Sequence, residues 1–547
     1  IGTLPGHSQI KAMKTLKTIR SQFLILLILA GNIAAFAQAG TDGYRIETKV
    51  LPGENWWGGN IVDGRKMPFG AAEYQVNQNG NLGTNQAQPL FVSDRGRFIW
   101  SDEPLNIHFS DGKIIAESLA EVVLNEEGKT LRDAFLKASS NHFPPAGKIP
   151  HPLFFSRPQY NTWIELQYDQ NENDILKYAA SIVGNGFPTG IIMIDDNWQK
   201  NYGEWEFSCE RFDDPGGMTE LLHTMGFKVM LWVCPFVGSA TPTYRQLAGS
   251  NKLMFATPEK KQPAIVPWWN GQSAILDLSN PEGMAWYKNQ LQYLIDEYGV
   301  DGFKLDAGDA FFYNGIYGQR DIGQNAHAEL HTTVGLDFEF NEYRASWKNG
   351  GQPLVQRLRD KEHSWNDLSA LIPDMVALGL IGHPFSCPDM IGGGEVGSFW
   401  ENPDLDEELI VRSTQVSTLM PMMQFSVAPW RVLNSENLAI CREMAQLHFS
   451  MGEEILALAR ESAKTGEPIV RSLEYVFPGQ GYALIKDQFL LGNDILVAPA
   501  TGKGQRERDV TFPKGKWKGE DGSMVKGPTK KTIQVPLERL PWYRKID

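Results

Sequence analysis

The 547-residue sequence predicts an α/β protein, a (β/α)8 TIM barrel over residues 151–457 flanked by an N-terminal β-sandwich (43–150) and a C-terminal β-sandwich (458–547). Three observations carry this reading. From about residue 160 to 455, apolar strand-like runs alternate with helical patterns, as parallel strand-helix units do. No G-x-G-x-x-G follows the first of those strands, which favours a closed barrel over an open dinucleotide-binding sheet. On either side the pattern changes to short alternating stretches broken by Gly, Asn and Pro.

Taken in order, residues 1–37 read as upstream residues followed by a signal peptide. Lys14, Lys17 and Arg20 precede an apolar run from Phe23 to Ala30, and Ala35-Phe36-Ala37 follows as a small-residue cleavage site. The run is too short to span a bilayer, so an exported chain without membrane insertion is expected. Residues 44–50 and 97–100 alternate as strands of the first β domain, and Pro144, Pro145, Pro150 and Pro152 mark the connection out of it. Barrel units follow: strands at 164–168, 190–194 and 228–233, with helices at 172–183 and around 219–225. Asn280 and Pro281 open a further helix whose Tyr287, Leu291, Leu294 and Tyr298 recur at helical spacing until Gly299. That helix feeds residues 300–309, an apolar strand running into charged residues. Beyond Pro468, residues 489–492, 495–499 and 508–512 return to β patterns.

A net charge of −14 with no Lys/Arg run argues against nucleic acid or an anionic membrane as partner. Cys209, Cys234, Cys387 and Cys441 are widely spaced without C-x-x-C, and the ten His residues show no H-x-x-x-H, so neither a metal nor another cofactor is expected. Export permits disulfides, but the spacing pairs none.

Barrel enzymes carry their chemistry at the C-terminal ends of the strands. Asp195 and Asp196, Asp306 and Asp389 all follow apolar runs there. Lys304 and Asp306 stand two apart and share a strand face, where an ammonium favours an ionised carboxylate; Asp306 is therefore a candidate nucleophile, with a structural ion pair as the alternative. Several strand-end carboxylates without a metal fit glycoside hydrolysis, which needs an ionised carboxylate, a protonated one and others to hold hydroxyls.

The segment 303–309, Pro388-Asp389-Met390-Ile391-Gly392-Gly393 and Gly466-Glu467-Pro468-Ile469-Val470-Arg471 resemble motifs of glycoside hydrolase family 31. Ile194-Asp195-Asp196, Trp268-Trp269-Asn270-Gly271 and Met423-Gln424-Phe425-Ser426 are similar to the branch that contains myogenesis-regulating glycosidase. The resemblance implies a retaining exo-acting α-galactosidase working on an α-galactoside oligosaccharide or glycoconjugate, with α-glucosidase, α-xylosidase or a silent sugar-binding protein as alternatives. It implies Asp306 as nucleophile and Asp360 as acid/base, although Arg357-Leu358-Arg359-Asp360 lacks the family's W-x-G-D, which leaves Glu362 and Asp389 as rivals. Asp195, Asp196, Trp269, Lys304, Arg344 and Asp389 are implied to contact sugar, Asp389 in a structural or orienting capacity. Arg357, Arg359 and Lys361 are expected to point away from the acid/base. Ser426, standing where α-glucosidases often have His, is the internal argument for galactose.

Overall fold

A computed structural model describes residues 43–70, 72–80, 85–259, 262–400 and 405–547. The expected signal peptide lies outside the described residues. The first strands, Tyr44–Lys49, Lys113–Ser118, Asn106–Ser110 and Tyr74–Asn77, form one antiparallel sheet; Trp56–Asn60, Gln86–Ser93, Phe98–Ser101 and Val122–Asn125 form a second. Phe69, Phe91 and Phe109 pack against one another with tilted rings, and Trp56–Asn60, Gln86–Ser93 and Phe98–Ser101 are buried at every residue. The helix Leu131–His142 leads out, its start fixed by a reciprocal Thr130–Asp133 capping box.

Eight strands make the barrel: β1 (Gln159–Asn161), β2 (Ile191–Ile194), β3 (Lys228–Val233), β4 (Gly302–Leu305), β5 (Phe340–Tyr343), β6 (Val355–Arg357), β7 (Ser386–Cys387) and β8 (Gln424–Phe425). They pair in parallel in chain order, β8 closes onto β1, and among the described residues no ladder joins β7 to β8. The strands are buried throughout, as a barrel enclosed by helices requires. Asn280 and Pro281 start the helix Pro281–Tyr298 as expected, and Gly299 ends it in the left-handed region at φ 69.

The structure corrects one strand. Residues 164–168 are not extended: Asn161 Oδ1 accepts from the Trp163 amide, ending β1 in a local turn, and Trp163–Leu166 is a helical turn. Ile164, buried against Met390 and Val427, and the partly buried Leu166 give the turn its strand-like apolar residues.

After β8 two helices follow, Ser435–Ser450 and Gly452–Thr465. The second runs through the expected 457/458 boundary, and β structure begins only at Val470, after Gly466 caps the helix. The last six strands make one antiparallel sheet around Leu490, Leu496, Val510, Phe512, Trp517 and Tyr543. All four cysteines are free thiols, three of them buried. Among the described residues no helix is long and apolar enough to cross a membrane.

Candidate active site

The ends of β2 to β6 converge on a cavity of about 250 Å³ lined by Asp195, Asp196, Trp232, Trp269, Lys304, Asp306, Arg344 and Asp360. Seven of the eight sugar-site and catalytic residues expected from the sequence therefore meet in one place. Asp306 arrives at the end of β4, where its amide still donates to Val233 of β3 before the chain turns at Ala307, whose φ is 58. A left-handed alanine costs of order 1 kcal/mol and bends the loop back on the carboxylate. Asp306 Oδ1 accepts from the Ala307 amide (2.8 Å) and Arg344 Nε (2.7 Å), while Oδ2 accepts from Trp232 Nε1 (2.9 Å). Burial alone would raise its pKa. Arg344 and Lys304, helped by the Trp232 hydrogen bond, outweigh burial and hold the carboxyl well below the usual carboxylate range.

Lys304 is not the direct partner of Asp306. Its Nζ pairs with Asp195 Oδ2 at 2.6 Å, so its action on Asp306 is electrostatic. Asp195 also accepts from the Asp196 amide. Asp196 receives Asn270 Nδ2 (2.6 Å) and the Tyr202 hydroxyl (3.2 Å), and Tyr168 in turn holds Asn270 at 2.8 Å. Burial, and then the neighbouring Asp195 charge, push the Asp196 carboxyl up to about 7. This chain of side chains can meet several hydroxyls with both acceptors and donors.

Arg344 is the hinge of the other wall. Its Nη2 reaches Asp309 Oδ2 at 2.8 Å while Nε holds Asp306, and its guanidinium lies 5.3 Å over the Trp269 ring. Trp269 is 48% exposed, which leaves an indole face open to the cavity. Asp309 is buried, and burial raises its carboxyl despite Arg344.

Around Asp360 the expectations fail in part. Arg357 does not point away: its Nη1 donates to both Asp360 Oδ1 and Asp389 Oδ1 at 2.8 Å, and its Nε lies 3.5 Å from Glu342. Arg359 and Lys361 do turn elsewhere, toward Asp367 and Asp374. Asp360 Oδ2 has no hydrogen-bond partner among the described residues, and the side chain is 32% exposed. Asp389 does not line the cavity. The amides of Lys361 and Gly394 occupy its Oδ2 and Arg357 its Oδ1, so it braces the loop behind Asp360 instead of meeting sugar. Glu362 is exposed on the far side of that loop and also misses the cavity. Ser426 is fully buried, with its Oγ accepting from the Ile164 amide, so it cannot read a sugar hydroxyl.

Trp232, Tyr168, Trp163, Asp309 and Glu395 were missed by sequence reasoning. Trp232 lies one residue before the end of β3, and the strand-end rule could have found it. Trp163 opens the helical turn after β1, and Tyr168, Asp309 and Glu395 sit on loops whose course only the tertiary structure fixes.

Residues 155–350 match the profile of the glycosyl hydrolases family 31 TIM-barrel domain, and residues 466–546 match the glycosyl hydrolase family 31 C-terminal domain. The chain belongs to glycoside hydrolase family 31. Among family 31 relatives, the myogenesis-regulating glycosidase of Mus musculus is 32% identical over 419 residues, covering 74% of this chain and 58% of that protein. Alpha-xylosidase XylQ of Lactiplantibacillus pentosus is 23% identical over 492 residues, 83% of this chain and 62% of its own length. The chain thus spans less than two thirds of either relative. In fold it is similar to a family 31 dextranase of Flavobacterium johnsoniae solved with glucose, at a TM-score of 0.80 and 21% identity, covering 94% of this chain and 68% of that one.

Proposed function

We propose that the protein is a retaining, exo-acting α-glycosidase that releases terminal α-linked galactose through a covalent glycosyl-enzyme. The observation that carries the reading is Asp306: a buried strand-end carboxylate facing an open cavity, kept ionised by Arg344 and Lys304, with Asp360 on the same cavity wall system. In the first step an Asp306 oxygen attacks the anomeric carbon while Asp360 gives its proton to the departing oxygen. Arg357 engages only Asp360 Oδ1, which leaves Oδ2 to carry that proton. In the second step Asp360 takes a proton from water, the water oxygen displaces Asp306, and two inversions leave the configuration retained. Asp195, Asp196 and Lys304 hold hydroxyls, with Asn270 fixing Asp196, and Trp269 stacks on the ring.

Galactose is what the motif resemblance to the branch containing myogenesis-regulating glycosidase implies, and the chain is 32% identical to that glycosidase against 23% and 24% for an α-xylosidase and an α-glucosidase. Ser426 no longer contributes to the argument. Export through residues 13–37 is part of the same proposal. A second reading, a sugar-binding protein without turnover, is favoured by one observation, the Arg357 contact to the intended acid.

Hydrolysis of p-nitrophenyl α-galactoside, α-glucoside and α-xyloside by the wild type and by Asp306→Asn and Asp360→Asn variants tests the proposal. Release from the galactoside that both substitutions abolish supports it. Preference for glucoside or xyloside changes the sugar, and sugar binding without release from any of the three selects the second reading.

A further inference from the structure

The ladder between β5 and β6 ends with Tyr343 opposite Gln356. One residue further along each strand stand Arg344 and Arg357, the two arginines that grip Asp306 and Asp360. Their backbone carbonyls converge on a single side chain from a different part of the molecule. Gln86, the first residue of Gln86–Ser93 in the N-terminal domain, donates its Nε2 hydrogens to Arg344 O (2.8 Å) and Arg357 O (2.5 Å). Gln86 is buried, and its Oε1 has no hydrogen-bond partner among the described residues. Two carbonyls facing one group demand a donor, so the amide orientation is set by the barrel and both of its N–H groups are consumed there. The chain just past Arg344 is also woven into the N-terminal sheet: Ser346–Trp347 pairs in parallel with Gln86–Ala87, and the Lys348 amide donates to Ala87 O.

We infer that Gln86 is a positioning residue for both halves of the catalytic pair, setting Asp306 through Arg344 and Asp360 through Arg357; this rests on the hydrolase reading above. An arginine whose main chain shifts by a fraction of an ångström moves its guanidinium, and with it the carboxylate that it holds. Both steps of a double displacement need nucleophile and acid in register, and small misplacements cost large factors in rate. Among the described residues neither Gln86 nor any other part of the N-terminal domain lines the cavity, so Gln86 acts on the site through the two arginines that it holds.

A matched control lies two residues away. Gln88 is equally buried and also links the N-terminal sheet to the barrel, accepting from the Gly350 amide at 3.2 Å, but it contacts neither arginine. Gln86→Met and Gln88→Met each remove a buried interdomain amide of similar size. Turnover of whichever nitrophenyl α-glycoside the wild type hydrolyses should fall tenfold or more in kcat for Gln86→Met, with KM changing less than threefold and no such loss in Gln88→Met. The Gln86→Met loss should be steeper for phenyl than for dinitrophenyl leaving groups, because poor leaving groups depend on the acid. Hydrogen exchange supplies a readout without activity: Gln86→Met should accelerate exchange in both 344–348 and 356–360. Equal kinetic losses in the two variants, a loss independent of leaving group, or faster exchange confined to residues 85–88 would overturn the inference. Should the wild type hydrolyse none of the substrates, the hydrolase reading fails, and the exchange pattern alone decides whether Gln86 couples the two arginines.

Discussion

Replacing Arg344 by Met removes the cation from between Asp306 and Asp309 while keeping much of the apolar volume against Trp269. Both carboxylates are buried, and the remaining nearby cation, Lys304, is committed to Asp195 at 2.6 Å. Breaking a buried pair by deleting one partner costs ~3–5 kcal/mol, because an uncompensated charge stays behind. If ~3 kcal/mol of that falls on the nucleophile's readiness to attack, kcat/KM drops about 100-fold. The pH profile is the sharper readout. In the wild type Asp306 lies well below the usual carboxylate range, so it stays ionised across any practical assay and sets no acid limb. With Arg344 gone, burial is opposed by Lys304 and the Trp232 hydrogen bond without the strongest counter-charge, so the carboxyl rises, an acid limb should enter the measured range and activity should recover with increasing pH. The assay is kcat/KM from pH 3.5 to 8 on the best nitrophenyl glycoside, with thermal unfolding measured in parallel. Arg344→Lys, which keeps one charge but cannot fork, should fall between. A variant of lowered activity whose acid limb coincides with that of the wild type would refute the claim that Arg344 keeps the nucleophile ionised.

Asp196 gives an opposite sign. Its carboxyl is raised to about 7, so the folded state favours the proton, and the associated stability is present below the ordinary aspartate range and lost as pH rises through about 7. Asp196→Asn should therefore flatten part of the decline in urea stability between pH 4 and 7.5; an unchanged decline would contradict the assignment. Gly308 lies against His331, and a Cβ there would run into the Nδ1 of that buried ring. Gly308→Ala should destabilise by ~1–3 kcal/mol and lower kcat through the Asp306 loop, whereas a stable, fully active variant would show that the loop yields freely. Ser426→His should lower the melting temperature without converting sugar preference, since the hydroxyl is buried on the Ile164 amide. Acquisition of α-glucosidase activity would reverse that conclusion.

The barrel was legible because β2, β3 and β4 are largely apolar runs set between helical patterns, and β2 and β4 run straight into carboxylates. Asp306, Asp195 and Asp196 were found this way, and strand alternation alone put Lys304 on the right face. What it could not give was the partner of Lys304: the nearest charge in sequence is Asp306, yet the barrel brings Asp195 from β2 within 2.6 Å. For Asp389 the sequence left a structural and a sugar-orienting capacity open, and contacts fixed only by the fold decide for the structural one. It stands at a strand end as a site residue would, but the Gly394 and Lys361 amides turn its loop inward and satisfy both oxygens together with Arg357. β1 was missed because three residues closed by an Asn161 turn carry too little alternation to read, while Ile164 and Leu166 of the helical turn after it supply the strand-like pattern. Gln86 carries no local signal at all, since its significance lies in two carbonyls more than 250 residues away along the chain.

The central claim is a covalent bond between the sugar and Asp306, and trapping tests it most directly. The enzyme incubated with a fluorinated α-galactosyl donor whose second step is slowed should gain one glycosyl unit in intact mass. Digestion should place that unit on the peptide holding Asp306, with Asp306→Asn unlabelled. Full turnover with no trapped mass, or a label on Asp360 or Asp389, would contradict the account.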